Sequence, residues 1–187
     1  MRVITGSARG TVLKTPAGMR TRPTTDRVKE ALFSIIQFEI GAARVLDLFG
    51  GTGQLGIEAL SRGAASAVFV DASQDACQLI RENLRRTRLE SRGRVIRCDY
   101  MEYLRRCREH YNLIFLDPPY AEVFLEKALK CITEIDILQS GGTIVTERPA
   151  GKELPWELEG FTRSRDYQYG KTLLAIYRKR EESVQIP

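Results

Sequence analysis

The chain has 187 residues, 43% of them hydrophobic, which is enough for one full α/β core and too few for two ordinary domains. No apolar run reaches the length of a membrane span and the first residues lack the apolar core of a signal peptide, so we expect a soluble, monomeric protein of the cytoplasm. The four cysteines are scattered without a Cys-x-x-Cys pair, and there is one histidine, so the sequence predicts neither a zinc site nor a disulfide framework and no metal is expected. The net charge of +5 is compatible with a polyanionic partner.

The positive charge is concentrated at the amino terminus. The whole chain has 29 basic and 24 acidic residues, and since residues 1–25 contain five basic and no acidic ones, the remainder is balanced at 24 of each. A localised basic arm is typical of nucleic-acid binding, although a solvated, partly disordered terminus has the same composition. A second stretch, residues 81–108, has ten arginines against four acids and is a weaker candidate, because helix surfaces often carry such charges. The predicted nucleic-acid contacts are Arg2, Arg9, Lys14, Arg20 and Arg22.

Short-range patterns divide the chain into an extension, residues 1–40, and a main domain, residues 41–187. The segments 2–5 and 11–14, separated by a glycine-containing turn, predict a short β-hairpin. Apolar residues then recur with a helical period from Thr25 onward, which predicts an amphipathic helix that packs on the main domain. Its apolar stripe consists of Val28, Ala31, Leu32, Ile35 and Ile36.

In the main domain, strand and helix patterns alternate. Continuous apolar strands separated by helices predict a parallel sheet that is covered on both faces. Two further strand segments near the carboxyl terminus flank a Gln-Tyr-Gly-Lys turn and predict a closing antiparallel hairpin. We therefore expect a doubly wound, Rossmann-like α/β sheet of seven strands, with ligands at the carboxyl ends of the strands. Strands are predicted near 44–48, 67–71, 94–98, 113–116, 143–146, 161–167 and 172–177, and helices near 54–62, 74–87, 100–107 and 124–132.

The first predicted ligand loop is an apolar strand that ends in Asp47 and runs into glycines. Gly51, Gly53 and Gly56 match the dinucleotide pattern Gly-x-Gly-x-x-Gly, and Asp71 follows at a distance suited to a ribose diol. Asp47 favours a different ligand, because a carboxylate at the strand end stabilises a cationic amino-acid group and does nothing for a pyrophosphate. S-adenosylmethionine, which carries an ammonium and a sulfonium, fits this combination better than a dinucleotide.

The second predicted ligand loop is Asp117-Pro118-Pro119-Tyr120, at the end of another apolar strand. It resembles the motif with which S-adenosylmethionine-dependent methyltransferases hold an exocyclic amino group of a nucleobase. The Asp117 carboxylate and the Pro118 carbonyl can accept the amino hydrogens and turn the nitrogen lone pair toward a methyl donor. The two prolines fix backbone angles, and Tyr120 offers a ring for stacking on a base. A proline-rich turn would look the same, so the interpretation depends on the position of the motif at a strand end.

The resemblance to class I methyltransferases extends to further cofactor positions. It implies that the strand-end acid and the glycine loop lie against the amino-acid and ribose portions, and that Asp71 accepts hydrogen bonds from both ribose hydroxyls. It also implies that Asp99 faces the adenine amino group, with Tyr100 or Met101 beside the ring. Capping of the following helix explains Asp99 equally well. The full set implied for the cofactor is Asp47, Phe49, Gly50, Gly51, Gly53, Asp71, Asp99 and Tyr100.

The amino-terminal sequence narrows the resemblance to one family. Residues 2–10 and 20–33, with Asp-Leu-Phe-Gly-Gly-Thr-Gly at 47–53 and the Asp-Pro-Pro-Tyr motif, resemble the bacterial ribosomal RNA small subunit methyltransferase D family. The resemblance implies methylation of N2 of one guanine in 16S rRNA, in the small ribosomal subunit or a particle of its assembly. It further implies that the hairpin contacts rRNA and that residues 22–24 lie near the cofactor.

Two alternatives stay open. An adenine-N6 methyltransferase of DNA would share the Asp-Pro-Pro-Tyr motif, but the chain has no room for a sequence-reading DNA domain. A non-catalytic RNA-binding assembly factor would keep the cofactor pocket, and the intact Asp117, Pro118 and Tyr120 argue against it. The chain departs from the family pattern at Thr5, where glycine is frequent, and at Val28, where a basic residue is frequent.

Overall fold

The computed structural model describes residues 1–16, 23–118, 121–150 and 158–180, with the backbone alone at residues 23–25 and 121–123. Its helices are α1 (Pro23–Ile35), α2 (Gln54–Ser61), α3 (Gln74–Thr87), α4 (Tyr100–Arg106) and α5 (Ala121–Ile135), with 3-10 turns at Gln37–Glu39 and Glu90–Arg92. Its strands are β1 (Arg44–Asp47), β2 (Ser66–Asp71), β3 (Gly93–Arg97), β4 (Tyr111–Leu116), β5 (Leu138–Pro149), β6 (Phe161–Arg163), β7 (Tyr167–Tyr169) and β8 (Thr172–Lys179). None of the described helices has both the length and the hydropathy needed to cross a membrane.

The strands form one sheet in the order β3-β2-β1-β4-β5-β8-β6, with β7 also paired to β8. Strands β1 to β5 run parallel to one another, and β8 runs antiparallel to β5. The chain first builds outward from β1 to β3 and then returns to add β4 on the other side of β1. The strand order therefore reverses between β1 and β4, and the carboxyl ends of these strands form the crevice where doubly wound sheets bind ligands. The predicted doubly wound α/β fold is confirmed.

The closing hairpin contains one more strand than the sequence predicts. Strands β6 and β7 both pair with the same edge of β8, so the eight-stranded sheet has seven positions across. Asp166 lies in the break between β6 and β7, where its carboxylate accepts hydrogen bonds from Arg148 at 2.8 Å and from Arg163 at 2.6 Å. Residues 161–167 therefore form two short strands around a polar cluster, where one continuous strand was expected.

Both faces of the sheet are buried, which explains why its central strands read as continuous apolar runs. Along β4, Leu113 and Phe115 pack into the core beneath helices α1, α2 and α3. Ile114 and Leu116 point the other way, into the core beneath α4 and α5. This division leaves the carboxyl edge of the sheet open between the two helical layers.

The amino-terminal arm, residues 1–16, pairs with itself as predicted but over a short length. The Val3 N–H donates to the Thr11 carbonyl at 3.0 Å, and a single antiparallel bridge joins Arg2 and Val12. The two predicted strands do not form a regular ladder, because neighbouring backbone groups of the arm bond to helix α2 instead.

Helix α2 holds the arm through two side chains. Glu58, which is fully buried, accepts hydrogen bonds from the backbone N–H groups of Ile4 at 2.8 Å and Thr5 at 3.0 Å. The Ser61 hydroxyl donates to the Thr5 carbonyl at 2.6 Å. A Cβ atom on Gly6 would lie 1.8 Å from the Ser61 carbonyl oxygen, so this contact requires glycine.

Helices α1 and α3 complete the attachment of the arm. Asn83 on α3 accepts a hydrogen bond from the Lys14 N–H at 2.7 Å and donates to the Thr52 carbonyl at 2.9 Å, which links the arm to the glycine loop. Lys29 on α1 donates to the Arg2 carbonyl at 2.5 Å. The arm is thus a packed part of the fold, and the alternative of a disordered terminus is wrong for residues 1–16. The division at residue 40 stays a prediction.

Candidate cofactor and target-base site

A cavity of about 590 Å³ opens at the crevice between β1 and β4, a volume within the range of small-molecule sites. The sheet places acids and glycines there because each parallel strand ends at the same edge. Most of the predicted site residues that the structure describes contribute to the wall of this one cavity. They are Asp47, Phe49, Gly50, Gly51, Asp71, Asp99, Tyr100, Asp117 and Pro118.

Gly53 is the exception among the described cofactor residues. It does not line the cavity but begins helix α2 with a left-handed backbone, at φ 78°. Its N–H donates to the Gly50 carbonyl at 2.6 Å, which closes the loop, and a Cβ atom here would lie 3.1 Å from Ile57 Cδ1. Gly53 therefore shapes the loop, and its direct contact with a cofactor stays a prediction.

Asp71 at the end of β2 orients the glycine loop. One carboxylate oxygen accepts the Gly51 N–H at 2.9 Å, and the other accepts the Ser73 N–H at 2.8 Å. A carboxylate oxygen has more than one lone-pair direction, so each can also accept a hydroxyl. Asp71 thus has a fixed orientation and unused acceptor capacity, which a ribose diol requires.

Asp47 at the end of β1 is the most deeply buried acid of the cavity, with 2% of its surface exposed. Its Oδ2 accepts the Gly56 N–H at 3.1 Å. Burial raises the pKa of Asp47 from 3.8 to about 8, an effect that the Gly56 hydrogen bond opposes and that the nearby Asp117 and Asp71 carboxylates reinforce. A cationic ligand group would relieve this destabilisation of the carboxylate.

An aromatic wall, formed by Phe49, Tyr100 and Phe124, bounds another side of the cavity. The ring centroids of Phe49 and Tyr100 are 5.1 Å apart, and Phe124 meets Tyr100 edge-on at 5.4 Å. Asp99, at the rim, caps helix α4 by accepting the Met101 N–H at 2.9 Å. Both explanations of Asp99 are compatible with this geometry, since the capping residue also lines the cavity.

Asp117 follows β4 at the end of the cavity near β5. Burial raises the pKa of the Asp117 carboxyl to about 6. On the next strand, burial and then the charge of Asp117 raise the pKa of Glu147 to about 8. Asp117 therefore has an interacting carboxyl neighbour just outside the cavity wall, where the sequence indicated a single acid.

Several residues of this region escaped the sequence analysis. Met1, Cys98 and Phe124 line the cavity, and Thr52 donates a hydrogen bond to the Met1 sulfur at 3.3 Å. These residues follow no motif and arrive from distant parts of the chain. Glu147 carried a usable signal, because it directly follows the apolar part of a strand at the sheet edge where Asp117 also lies.

Four predicted site residues lie outside the described residues. These are Pro119 and Tyr120 of the second ligand loop and Arg20 and Arg22 of the basic arm. The other arm residues have exposed side chains: Arg2, Arg9 and Lys14. Lys14 forms an ion pair with Glu82 of helix α3, so part of its charge is already compensated.

Most arginines of the second basic stretch, residues 81–108, form ion pairs or hydrogen bonds within the protein. Arg94 pairs with Glu109, as does Arg44 from β1 at 3.0 Å. Further arginines donate to backbone carbonyls, among them Arg81 to Val95, Arg86 to Val12 and Arg92 to Ala64. These contacts engage several of the ten arginines, and nucleic-acid binding by this stretch stays the weaker alternative.

Comparison with known proteins places the chain in a family. The sequence profile of a family described as Conserved hypothetical protein 95 matches residues 1–178. YlbH of Bacillus subtilis, named as a candidate rRNA methyltransferase, is 43% identical over 183 residues, which cover 96% of this chain and all of YlbH. Ribosomal RNA small subunit methyltransferase D of Escherichia coli is 32% identical over 179 residues, covering 96% of this chain and 90% of the relative. The chain belongs to the ribosomal RNA small subunit methyltransferase D family.

Solved structures agree with membership of the methyltransferase D family. A candidate methyltransferase of Escherichia coli, yhhF, superposes with a TM-score of 0.87 at 32% identity and covers 97% of this chain and 99% of that one. An RNA methyltransferase from Salinibacter ruber, solved in complex with S-adenosyl-L-homocysteine, has a TM-score of 0.64 at 15% identity and covers 90% of this chain and 98% of that one. The second likeness shows the shared methyltransferase fold alone.

Proposed function

We propose that this protein transfers a methyl group from S-adenosylmethionine to the exocyclic N2 of a guanine in 16S rRNA. The observation that carries the proposal is the single cavity that brings Asp47 and Asp71 together with Asp117 and Pro118. A cofactor held by the first two residues and an amine held by the last two would meet without any rearrangement of the sheet. Family membership and the names of the relatives support rRNA as the substrate.

The groups around the cavity fit S-adenosylmethionine. Asp47 is placed for the ammonium group, since a cation stabilises a carboxylate that burial disfavours. Asp71 presents fixed acceptors to the ribose hydroxyls, and the aromatic wall offers an apolar surface for adenine, with Asp99 at its edge. When bound, the cofactor supplies an electrophilic methyl group on a positively charged sulfur.

Asp117 and Pro118 prepare the target amine in this proposal. The lone pair of guanine N2 is delocalised into the ring, so the amine is a weak nucleophile. If the Asp117 carboxylate accepts one amino hydrogen and the Pro118 carbonyl the other, the lone pair aligns with the methyl carbon. With the cofactor held by Asp47 and Asp71, methyl transfer would form the nitrogen–carbon bond at the expense of the carbon–sulfur bond, whose electron pair would stay on sulfur. The amine then releases one proton to Asp117 or to solvent.

We infer that residues 1–40 form an rRNA-binding extension of a catalytic domain, residues 41–187. The exposed Arg2 and Arg9 side chains lie on an arm that reaches the cavity through Met1, so phosphates bound there would lie near the methylated base. The substrate would be 16S rRNA or an assembling small ribosomal subunit, met in the cytoplasm by a monomeric enzyme.

Incubation with labelled S-adenosylmethionine tests this function. The protein is offered small-subunit particles, naked 16S rRNA and double-stranded DNA, and the modified nucleosides are identified by mass spectrometry. We expect N2-methylguanosine from the ribosomal substrates, with loss of product in the Asp117→Ala variant. N6-methyladenosine in DNA would favour the alternative enzyme class, and cofactor binding without product on any substrate would favour an assembly factor.

A further inference from the structure

Two carboxyl groups lie side by side at the carboxyl edge of the sheet. Leu116 of β4 is in register with Thr146 of β5, so Asp117 and Glu147 are the next residues on two adjacent parallel strands. Such strands are about 4.8 Å apart, and side chains at one level point to the same face. Burial is the larger cause of the raised pKa of Glu147, and the nearby Asp117 charge adds to it because of this closeness.

Glu147 is half-buried, and no partner among the described residues explains an acid at this position. Within the described ranges its carboxyl forms no hydrogen bond and no ion pair, in contrast to Asp47, Asp71 and Asp99. Its neighbour on the side away from Asp117 is Leu174 of β8, an apolar residue. Burying an unpaired carboxyl destabilises a fold, so this position is better suited to a ligand than to the stability of the protein.

The hydrogen-bond donors of guanine match this pair of acids. Guanine presents three donor hydrogens along one edge, two on N2 and one on N1. Asp117 and the Pro118 carbonyl take the two amino hydrogens in the proposed function, which leaves the N1–H without an acceptor. An unpaired donor in a desolvated site opposes binding, so a further acceptor beside Asp117 is required.

We propose that Glu147 accepts the N1–H of the target guanine. This contact selects guanine over adenine and cytosine, in which the ring nitrogen at the corresponding position is a hydrogen-bond acceptor. This inference rests on the proposed function and names a residue that determines its specificity. The guanine N1–H would stabilise the ionised form of Glu147, whereas adenine and cytosine would place a nitrogen lone pair against this carboxylate, and the resulting repulsion would keep their amines from Asp117.

The test pairs enzyme variants with a base analogue. 2-Aminopurine keeps the 2-amino group but has an acceptor at N1, and it is placed by ligation at the mapped target position of 16S rRNA. The relative kcat/KM for guanine over 2-aminopurine is measured for the parent, Glu147→Ala and Glu147→Met. We expect this ratio to fall on the order of ten- to a hundredfold in both variants, because only the guanine reaction loses a hydrogen bond to an ionisable group.

Comparing ratios of kcat/KM removes the effect of differences in the folded, active fraction of each preparation. Both substrates meet the same preparation, so a partly unfolded variant changes both rates equally, and contacts to guanine O6 cancel between parent and variant. Thr146→Val is the matched control, since Thr146 is buried in the same strand but its hydroxyl donates to the Ala175 carbonyl at 3.3 Å. We expect the parental ratio in this control.

Three results overturn the inference. These are an unchanged ratio in both Glu147 variants, an equal fall in the Thr146→Val control, and loss of both products in both Glu147 variants. If the parent forms no N2-methylguanosine, the proposed function fails together with the inference. If the parent does form it and the ratio is unchanged, the inference alone fails.

Discussion

Replacing Asp47 with asparagine should stabilise the apo protein at neutral pH and weaken its binding of the cofactor. Burial raises the pKa of Asp47 from 3.8 to about 8, so the folded protein keeps a proton at pH 7 that the unfolded chain releases. Folded protein therefore binds more protons than unfolded protein, and its stability falls as pH rises through this window. Asparagine has no proton to lose, and its amide oxygen can still accept the Gly56 N–H.

The size of the effect follows from the pKa shift. Between the two pKa values each pH unit corresponds to about 1.4 kcal/mol, so the stability advantage of Asp47→Asn should grow by about 3 kcal/mol from pH 5 to pH 7. Glu147 and Asp117 are present in both proteins, so their own titration largely cancels in the comparison. The advantage already amounts to about 1.6 kcal/mol at pH 5, which lies above the unfolded pKa of 3.8, so the quantity to compare is the slope between pH 5 and pH 7.

Urea unfolding of the apo proteins at pH 5, 6 and 7 measures the stability difference, and titration calorimetry measures the cofactor affinity. We expect Asp47→Asn to bind S-adenosylmethionine at least about tenfold more weakly, since it lacks the charge that attracts the ammonium. A stability difference that stays constant between pH 5 and pH 7 would refute the reasoning about burial. Unchanged affinity would remove Asp47 from the cofactor site.

Three further variants test the rest of the site. Asp71→Ala should weaken cofactor binding in a folded protein, because ribose acceptors and the anchor of the glycine loop are lost together; unchanged affinity in calorimetry would contradict this. Asp117→Ala should nearly abolish single-turnover methyl transfer while sparing cofactor binding, and the parental rate should fall as pH drops through about 6, where Asp117 gains a proton. Replacing Arg2 and Arg9 with alanine should weaken rRNA binding and reduce the slope of log affinity against log salt by about 1 to 2, measured by filter binding. Adding Lys14→Ala should contribute less, since this side chain already pairs with Glu82; equal slopes for parent and double variant would argue against the arm.

Local signals in the sequence were sufficient for most of the sheet and its helices. Helix α3 was predicted with the bounds it has, and in the structure Ser73 caps its first turn and Arg88 ends it in a left-handed conformation. The break between β6 and β7 was missed, since it depends on the contact of Asp166 with Arg148 across the sheet. A pairing of this kind leaves no trace in local periodicity.

The cofactor acids were predictable for the same reason. Asp47 and Asp71 each end a strand, and parallel strands bring such residues to one edge whatever lies between them. Glu147 also ends an apolar run, yet its importance depends on the order in which strands lie in the sheet. Gly53 shows what a glycine pattern leaves open, because such a pattern does not distinguish contact with a ligand from the shape of the loop.

Because the arm is packed on the fold, its proposed role in RNA binding cannot be separated from folding by deletion. Removing residues 1–16 would take two backbone donors from the fully buried Glu58, uncover the apolar surface under Val3 and Leu13, and free Asn83 beside the glycine loop. A shortened protein would lose several kcal/mol of stability as well as its basic residues. The arm is therefore distinct in the sequence but is not an independent unit of the fold. Point substitutions on its exposed face are the way to measure what it contributes to substrate recognition.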